Sequence, residues 1–271
     1  IGDWLSSIGI EYETNDRTLI KPTEIDIYIP SHKLAIEYCG LYWHSDAHPR
    51  MTAKYHKDKM DACNAQGIRL LTIFEDEWND KPEIVKAKLK SILNISDRIT
   101  VFARKTSVVA VSKKDKAVFF NTNHIQGDGP GSITYGLTQG GKLVACMTLI
   151  KQSNNQYTLN RYATSCNVPG GFSKLLKHFV TNHSPSCVVS FADLRWSEGK
   201  MYQSNGFTLD KILPPDYYWF VDGIREHKFN WRHAGKLGKL PFYNPNASET
   251  VNMHAHGNYK IYNCGLQRWI L

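Results

Sequence analysis

The run from Glu24 to His44 constrains the fold of this chain more than any other stretch. Ile25, Ile27 and Ile29 alternate with Glu24, Asp26 and Tyr28, the two-residue period of a strand with one buried face. A short polar turn, Pro30-Ser31-His32-Lys33, joins it to a second strand, Lys33 to Tyr38, whose consecutive Leu34, Ala35 and Ile36 suit the middle of a sheet. These strands also carry acids. Glu24 and Asp26 share a face within reach of one cation, and Glu37 stands at the end of the second strand, where a buried carboxylate needs a partner. His44 follows closely and can take or give a proton near neutral pH.

The flanking sequence extends this core. Trp4, Leu5, Ile8 and Ile10 give the apolar pattern of a short helix, and Thr52 to Gln66 reads as a longer one stopped by Gly67. Ile68 to Phe74 is a third strand ended by Glu75-Asp76-Glu77-Trp78, and Pro82 to Leu93 is a helix with proline in its first turn. Strand, strand, helix, strand, helix describes a mixed α/β domain closing near residue 95. Its acids suit phosphodiester cleavage by a hard divalent ion, Mg2+ or Mn2+ in its place, which neutralises the phosphate and activates a water. Asp26 and Glu37 supply carboxylates from adjacent strands, with Glu24 or Asp58 to complete the shell.

These elements resemble the PD-(D/E)XK nuclease superfamily, in the branch similar to very-short-patch repair endonucleases and phage homing endonucleases. The resemblance rests on Asp26 in Glu24-Ile25-Asp26, the turn Gly40-Leu41-Tyr42-Trp43-His44, the helical Lys57-Asp58-Lys59 and the run from Gly67 to Glu75. It implies an endodeoxyribonuclease in which Asp26 and Glu37 hold metal, His44 serves the active site and Asp58 is the helical acid. The family's Glu-x-Lys lysine is missing, because Tyr38-Cys39 follow Glu37, so proton handling falls to His44 or to metal-bound water. Asp3 is the candidate for the family's acid on the first helix, and the opening Ile1 leads us to expect a fragment or processed chain. His56, Lys57 and Lys59 are candidates for contact with phosphate.

Past this domain, placed at 1–98, a basic connector at 99–106 carries Arg104 and Lys105 into a different kind of sequence at 107–271. Val108 to Val111 reads as a strand, Lys113 to Asn121 as a helix and 123–131 as a glycine-rich loop. Ser132 to Leu137 and Lys142 to Ile150 form a hairpin through Gln139-Gly140-Gly141, and Gln156 to Tyr162 continues the sheet. Pro169-Gly170-Gly171 leads into a helix, Cys187 to Ala192 is an apolar strand, and a helix ends in Tyr202-Gln203-Ser204-Asn205-Gly206-Phe207. This order resembles the GNAT acyltransferase fold, an α+β domain whose loop before the central helix holds the cofactor pyrophosphate on backbone N–H groups. Gly170 and Gly171 match that loop, and Asn123, His124, Arg161, Asp193 and Arg195 are polar candidates for a second site.

The chain has 33 Lys and Arg against 25 Asp and Glu, a formal charge of +8 that suits a polyanionic partner. Bases and aromatics interleave after Tyr217, and Arg225, Lys228, Arg232, Lys236 and Lys239 are the candidates for phosphate binding, with DNA as the partner. Six scattered cysteines without a Cys-x-x-Cys pair argue against a disulfide framework or structural zinc. No apolar run approaches the length of about 18 residues that spans a membrane, so a cytoplasmic location is expected. The leading expectation is a DNA endonuclease of phage homing type with a GNAT-like domain positioning DNA. Its rivals are an acyl- or group-transferase acting on nucleic acid and a DNA-binding protein with a decayed nuclease core.

Overall fold

The computed structural model describes residues 1–95 and 99–271, so the expected domain end at residue 98, with Arg98, lies outside the described residues. The chain divides into two units: Ile1–Asp80 with Asp193–Trp196 and Leu213–Leu266, and Lys81–Ala192 with Ser197–Ile212 and Gln267–Leu271. Residues 213–266, which the sequence reading attaches to the second domain, thus fall in the first unit.

The first unit opens with α1 (Gly2–Ser7), β1 (Glu13–Ile20), β2 (Thr23–Ile29), β3 (Leu34–Cys39), α2 (Tyr55–Ala65), β4 (Arg69–Phe74) and α3 (Glu75–Asp80). Its sheet has the order β1-β2-β3-β4, antiparallel until β3 and β4, which run parallel from Leu34↔Arg69 to Cys39↔Phe74. A parallel pair is covered on both faces, and Leu34, Ala35 and Ile36 are accordingly buried, while Ile25, Ile27 and Ile29 bury one face of β2. Helix α2 closes one side, its Met60 and Cys63 packing with Ile25, Ala35 and Leu70. Burial of each large aliphatic side chain of this kind contributes about 1.5–3 kcal/mol. The polar turn between β2 and β3 is a single 3-10 turn, Pro30–His32, closed by Lys33 at φ +47°. Glu75 to Trp78, read as the acidic end of a strand, instead begins α3: acids in its first turn favour the helix N-terminus, and the Glu77 carboxylate accepts the Phe74 N–H at 3.2 Å.

The second unit continues through α4 (Pro82–Ile92), β5 (Ser107–Ala110), α5 (Lys113–Asn123), β6 (Ile133–Gln139), β7 (Lys142–Lys151), β8 (Gln156–Thr164), α6 (Gly171–His183), β9 (Cys187–Asp193), α7 (Lys200–Gln203) and β10 (Thr208–Leu213). Ser112 caps α5, its hydroxyl oxygen accepting the Asp115 N–H at 3.1 Å. Gly140 and Gly141, at φ +55° and +76°, make the β6–β7 hairpin turn that side-chain-bearing residues resist. The chain then returns to the first unit with β11 (Tyr217–Val221), β12 (Ile224–His227), α8 (Glu249–Ala255) and β13 (Tyr259–Tyr262), and ends with β14 (Leu266–Ile270). β12, β11 and β13 form a small antiparallel sheet of the first unit, with Trp219, Val221 and Trp231 packed on Leu237 and Met253. In the second unit the strands lie in the order β10-β14-β9-β8-β7-β6-β5, and α6 buries Phe172, Leu175 and Phe179 against them.

Candidate functional site

In the first unit, β2, β3 and α2 bring together three of the residues expected to matter. Asp26 accepts the Tyr38 backbone N–H at 2.8 Å, and burial, outweighing that bond, raises its pKa. Glu37, 3% exposed, is ion-paired with Lys59, which reaches across from the buried face of α2. Burial pushes the Glu37 carboxyl up to about 7 even with that ammonium beside it. Burial works against the charge of Lys59 as well, but the Glu37 carboxylate outweighs it and holds the lysine pKa above its usual value. Lys59, a candidate for phosphate, is therefore spent on Glu37, the partner that a carboxylate buried after Leu-Ala-Ile required. A lysine on the facing helix, rather than two residues along the strand, could have been sought from the spacing of α2.

Of the other acids, Glu24 is near enough to Asp26 and Glu37 to add to the rise of both pKa values. Glu24 accepts from Arg17 at 2.6 Å, and α2 turns Asp58 to solvent. His44 is half-buried on a turn closed by its N–H to the Gly40 carbonyl at 3.0 Å, and burial lowers its pKa to about 4. His56 is 2% exposed, and burial with His44 nearby lowers its pKa to about 3, so it is no surface phosphate ligand. Its ring stacks on His44, centroids 5.2 Å apart. Lys57 pairs with Asp61 at 2.5 Å.

The basic stretch of the first unit is mostly committed to its own acids. Arg225, half-buried, is held by Asp76 and Glu77, at 3.1 and 2.9 Å; Lys228 holds Asp216 at 2.6 Å, and Lys236 holds Glu226 at 2.5 Å. Arg232 and Lys239 stay exposed, Arg232 lying 4.1 Å over the ring of the exposed Phe229. Asp193 and Arg195, candidates for a second site, join the Glu77 network instead: Arg195 binds Glu77 at 3.0 Å and Asp193 at 2.7 Å and is buried.

The second unit gathers the remaining candidates around β8. Arg161 donates to the Gly127 carbonyl and to Asn160, and it lowers the pKa of His124, which burial first and the cations Arg161, Lys88 and Lys81 next bring to about 3. Asn123, at the end of α5, donates to the Phe119 carbonyl at 2.9 Å. β8 and β9 run parallel, in register from Gln156↔Cys187 to Leu159↔Ser190; both strands continue, to Thr164 and Asp193, beyond that register. At the last pair, Ser190 Oγ lies 3.0 Å from the Tyr202 hydroxyl, which sequence reasoning did not single out. Burial raises the pKa of Tyr202 against the effect of that hydrogen bond.

Past β8 the loop to α6 turns at Gly170, φ +76°. A Cβ on Gly171 would meet the Tyr162 hydroxyl and the Val168 side chain at 2.9 Å, so glycine is needed there for close packing. The connector lies against this loop: Ala103 N–H donates to the Pro169 carbonyl at 3.0 Å, and Lys174 donates to the Ala103 carbonyl at 2.9 Å. Arg104 and Lys105, on the same turn as Ala103, remain exposed.

Neither a scan against protein-family models nor a search of curated proteins finds a match. Among solved structures the chain is similar to the ribosomal-protein-S18-alanine N-acetyltransferase from Escherichia coli (18% identity, 44% of this chain and 88% of that one, TM-score 0.35). It is also similar to an IAA acetyltransferase from Bacillus cereus (13%, 61% and 98%, TM-score 0.35) and to a Bacillus subtilis acetyltransferase in complex with CoA (12%, 62% and 98%, TM-score 0.34).

The expectation of an endodeoxyribonuclease, a hydrolase working with Mg2+ or Mn2+, is corrected here. The solved structures named above are of acetyltransferases, one of them in complex with CoA. Of the acids offered for the metal, Glu37 is held by Lys59 and Glu24 by Arg17, while Asp58 faces solvent. Among the described residues no helix is long and apolar enough to cross a membrane.

Proposed function

We propose that the second unit is an acyl- or group-transferase domain that uses a CoA-type thioester donor and an acceptor presented on nucleic acid. The observation that carries this reading is the parting of β8 and β9 after Leu159↔Ser190. Two parallel strands that separate leave alternate N–H and C=O groups facing one gap, where an extended amide-bearing ligand can add as a strand would. A thioester of this type supplies an activated acyl carbon, and the acceptor nucleophile displaces its thiolate. Tyr202 stands at the point of separation with a hydroxyl kept neutral by burial, so it can donate a proton to that thiolate. The single Ser190 hydroxyl hydrogen goes to the Leu159 carbonyl at 3.0 Å, which can only accept, so the Tyr202 hydroxyl donates to Ser190 Oγ at 3.0 Å until a bound group takes its hydrogen. The loop at Gly170 carries no base of its own, and Lys174 is occupied, which leaves Arg104 and Lys105 to neutralise a pyrophosphate.

The net charge of +8, the exposed Arg232 over Phe229 and the exposed Lys239 support a nucleic-acid partner. Six free thiols suit the cytoplasm. The full chain is expected to bind acetyl-CoA saturably by calorimetry, and Arg104→Glu with Lys105→Glu to weaken that binding. Tyr202→Phe should keep donor binding while lowering DNA-dependent release of CoA thiol by about a hundredfold. Absence of acetyl-CoA binding at millimolar concentration would sink the proposal.

A further inference from the structure

Outside the second unit, the most unusual cluster is formed by Cys39, His44 and His56. Cys39 ends β3 beneath the sheet, the turn begun by Gly40 folds His44 back, and the first turn of α2 sends His56 inward. The three offer one ligand atom each, all within 4.8 Å of one another, and Cys39 Sγ is 3.9 Å from His56 Nδ1. His44 Nδ1 and His56 Nε2 are buried with no hydrogen-bond partner among the described residues. A buried imidazole nitrogen left without a partner is costly, so its retention needs a reason.

We propose that Cys39, His44 and His56 form a site for a zinc-type divalent transition-metal ion, bound by one thiolate and two imidazoles with a fourth position open. The donor set selects the ion. Sulfur with two nitrogens suits zinc and its neighbours, whereas Mg2+ asks for oxygens. Tetrahedral bonds of about 2.0–2.3 Å put donor atoms about 3.4–3.6 Å apart. Cys39 and His56 are already close to that separation at 3.9 Å. His44 has to turn out of its stack on His56, and it sits on a turn, half-buried, where such a rotation is cheapest. Binding releases the Cys39 proton to solvent, and no oxidant or reductant takes part. The three ligands share no zinc-type spacing along the chain, so only the fold brings them together.

The test uses the full chain, stripped by a chelator and titrated with Co2+ as a spectroscopic probe. One equivalent should produce a thiolate-to-cobalt charge-transfer band with the visible bands of a four-coordinate ion, displaced by Zn2+ and untouched by excess Mg2+. Cys39→Ser should lose the charge-transfer band. His44→Ala, on the turn, should keep the far-ultraviolet circular dichroism of the parent and bind at least about tenfold more weakly. Should Cys39→Ser fail to fold, the His44→Ala titration decides alone. A stripped parent that shows no band, a band that survives Cys39→Ser, or an unchanged affinity in folded His44→Ala overturns the site.

Discussion

Replacing Glu77 by alanine is expected to destabilise the first unit by about 3–5 kcal/mol, the usual cost of removing one partner from a buried ion pair. Glu77 is 5% exposed and receives Arg195 through two nitrogens at 3.0 Å and Arg225 at 2.9 Å. Both guanidiniums also lie over the Phe74 ring, at 4.7 and 4.1 Å, so neither can swing to solvent without uncovering β4. Asp193 and Asp76 each hold one of them, but the loss of Glu77 would take the carboxylate that bridges the two and leave Arg225 Nη2 and one side of the Arg195 fork without their acceptor. The same geometry fixes a pH dependence. Burial alone would raise the Glu77 pKa; the two arginines outweigh it and bring it from 4.5 to about 2. A folded pKa below the unfolded one gives stability that is present above pH 4.5 and is lost as pH falls towards about 2. At 1.36 kcal/mol per unit this is about 3 kcal/mol. Because two units need not unfold together, hydrogen exchange of the β4 amides is the suitable readout. The parent should lose protection below pH 4.5, and Glu77→Gln should flatten that slope. Glu77→Ala within about 1 kcal/mol of the parent at pH 7 would show that the arginines find water or other partners.

The elements whose reasons are local were legible. The alternation of β2, the unbroken apolar run of β3, the glycine stop of α2 and the hairpin at Gly140-Gly141 all appear where their residue patterns put them. α3 was not legible, because Glu75-Asp76-Glu77 after an apolar strand reads equally as a solvated strand end; Glu77 turning back to the Phe74 N–H decides it. Partnerships across the sequence were the other loss. Glu37 visibly needed a partner, and the spacing of α2 offered a lysine facing the sheet, but only the packing of α2 on β3 selects Lys59; Arg225 looked like its neighbours Lys228 and Lys236 although it lies in the Glu77 network. Charge patterning shows how many cations there are. Which of them remain for a ligand depends on acids brought near by the fold, here leaving Arg232 and Lys239 from a set of five. Tyr202 was hidden for a related reason: its hydroxyl gains meaning only from Ser190, on another strand, at the place where β8 and β9 separate.

Lys59→Ala should destabilise the first unit by a similar amount, about 3–5 kcal/mol at pH 8, and its pH dependence should run opposite to that of Glu77. Glu37 already has a folded pKa of about 7 beside Lys59, because burial outweighs the ammonium. Without Lys59 nothing opposes burial except solvent that reaches a side chain 4% exposed, so the carboxyl pKa must rise further. A carboxyl whose folded pKa lies above its unfolded 4.5 destabilises the fold at high pH, and this penalty disappears as pH falls through the folded value and the group takes a proton. The deficit of Lys59→Ala relative to the parent should therefore be largest above pH 7 and shrink steadily towards pH 5, whereas loss of packing alone would be the same at every pH. The double variant Lys59→Met with Glu37→Met tests the same point from the other side. Two apolar side chains of similar length remove both desolvation costs along with the attraction, and such exchanges are often neutral or stabilising. If the double variant is as stable as the parent while Lys59→Ala alone is not, the buried pair is there for something other than stability. Conversely, a double variant as weak as Lys59→Ala would mean that the ion pair itself holds α2 against β3.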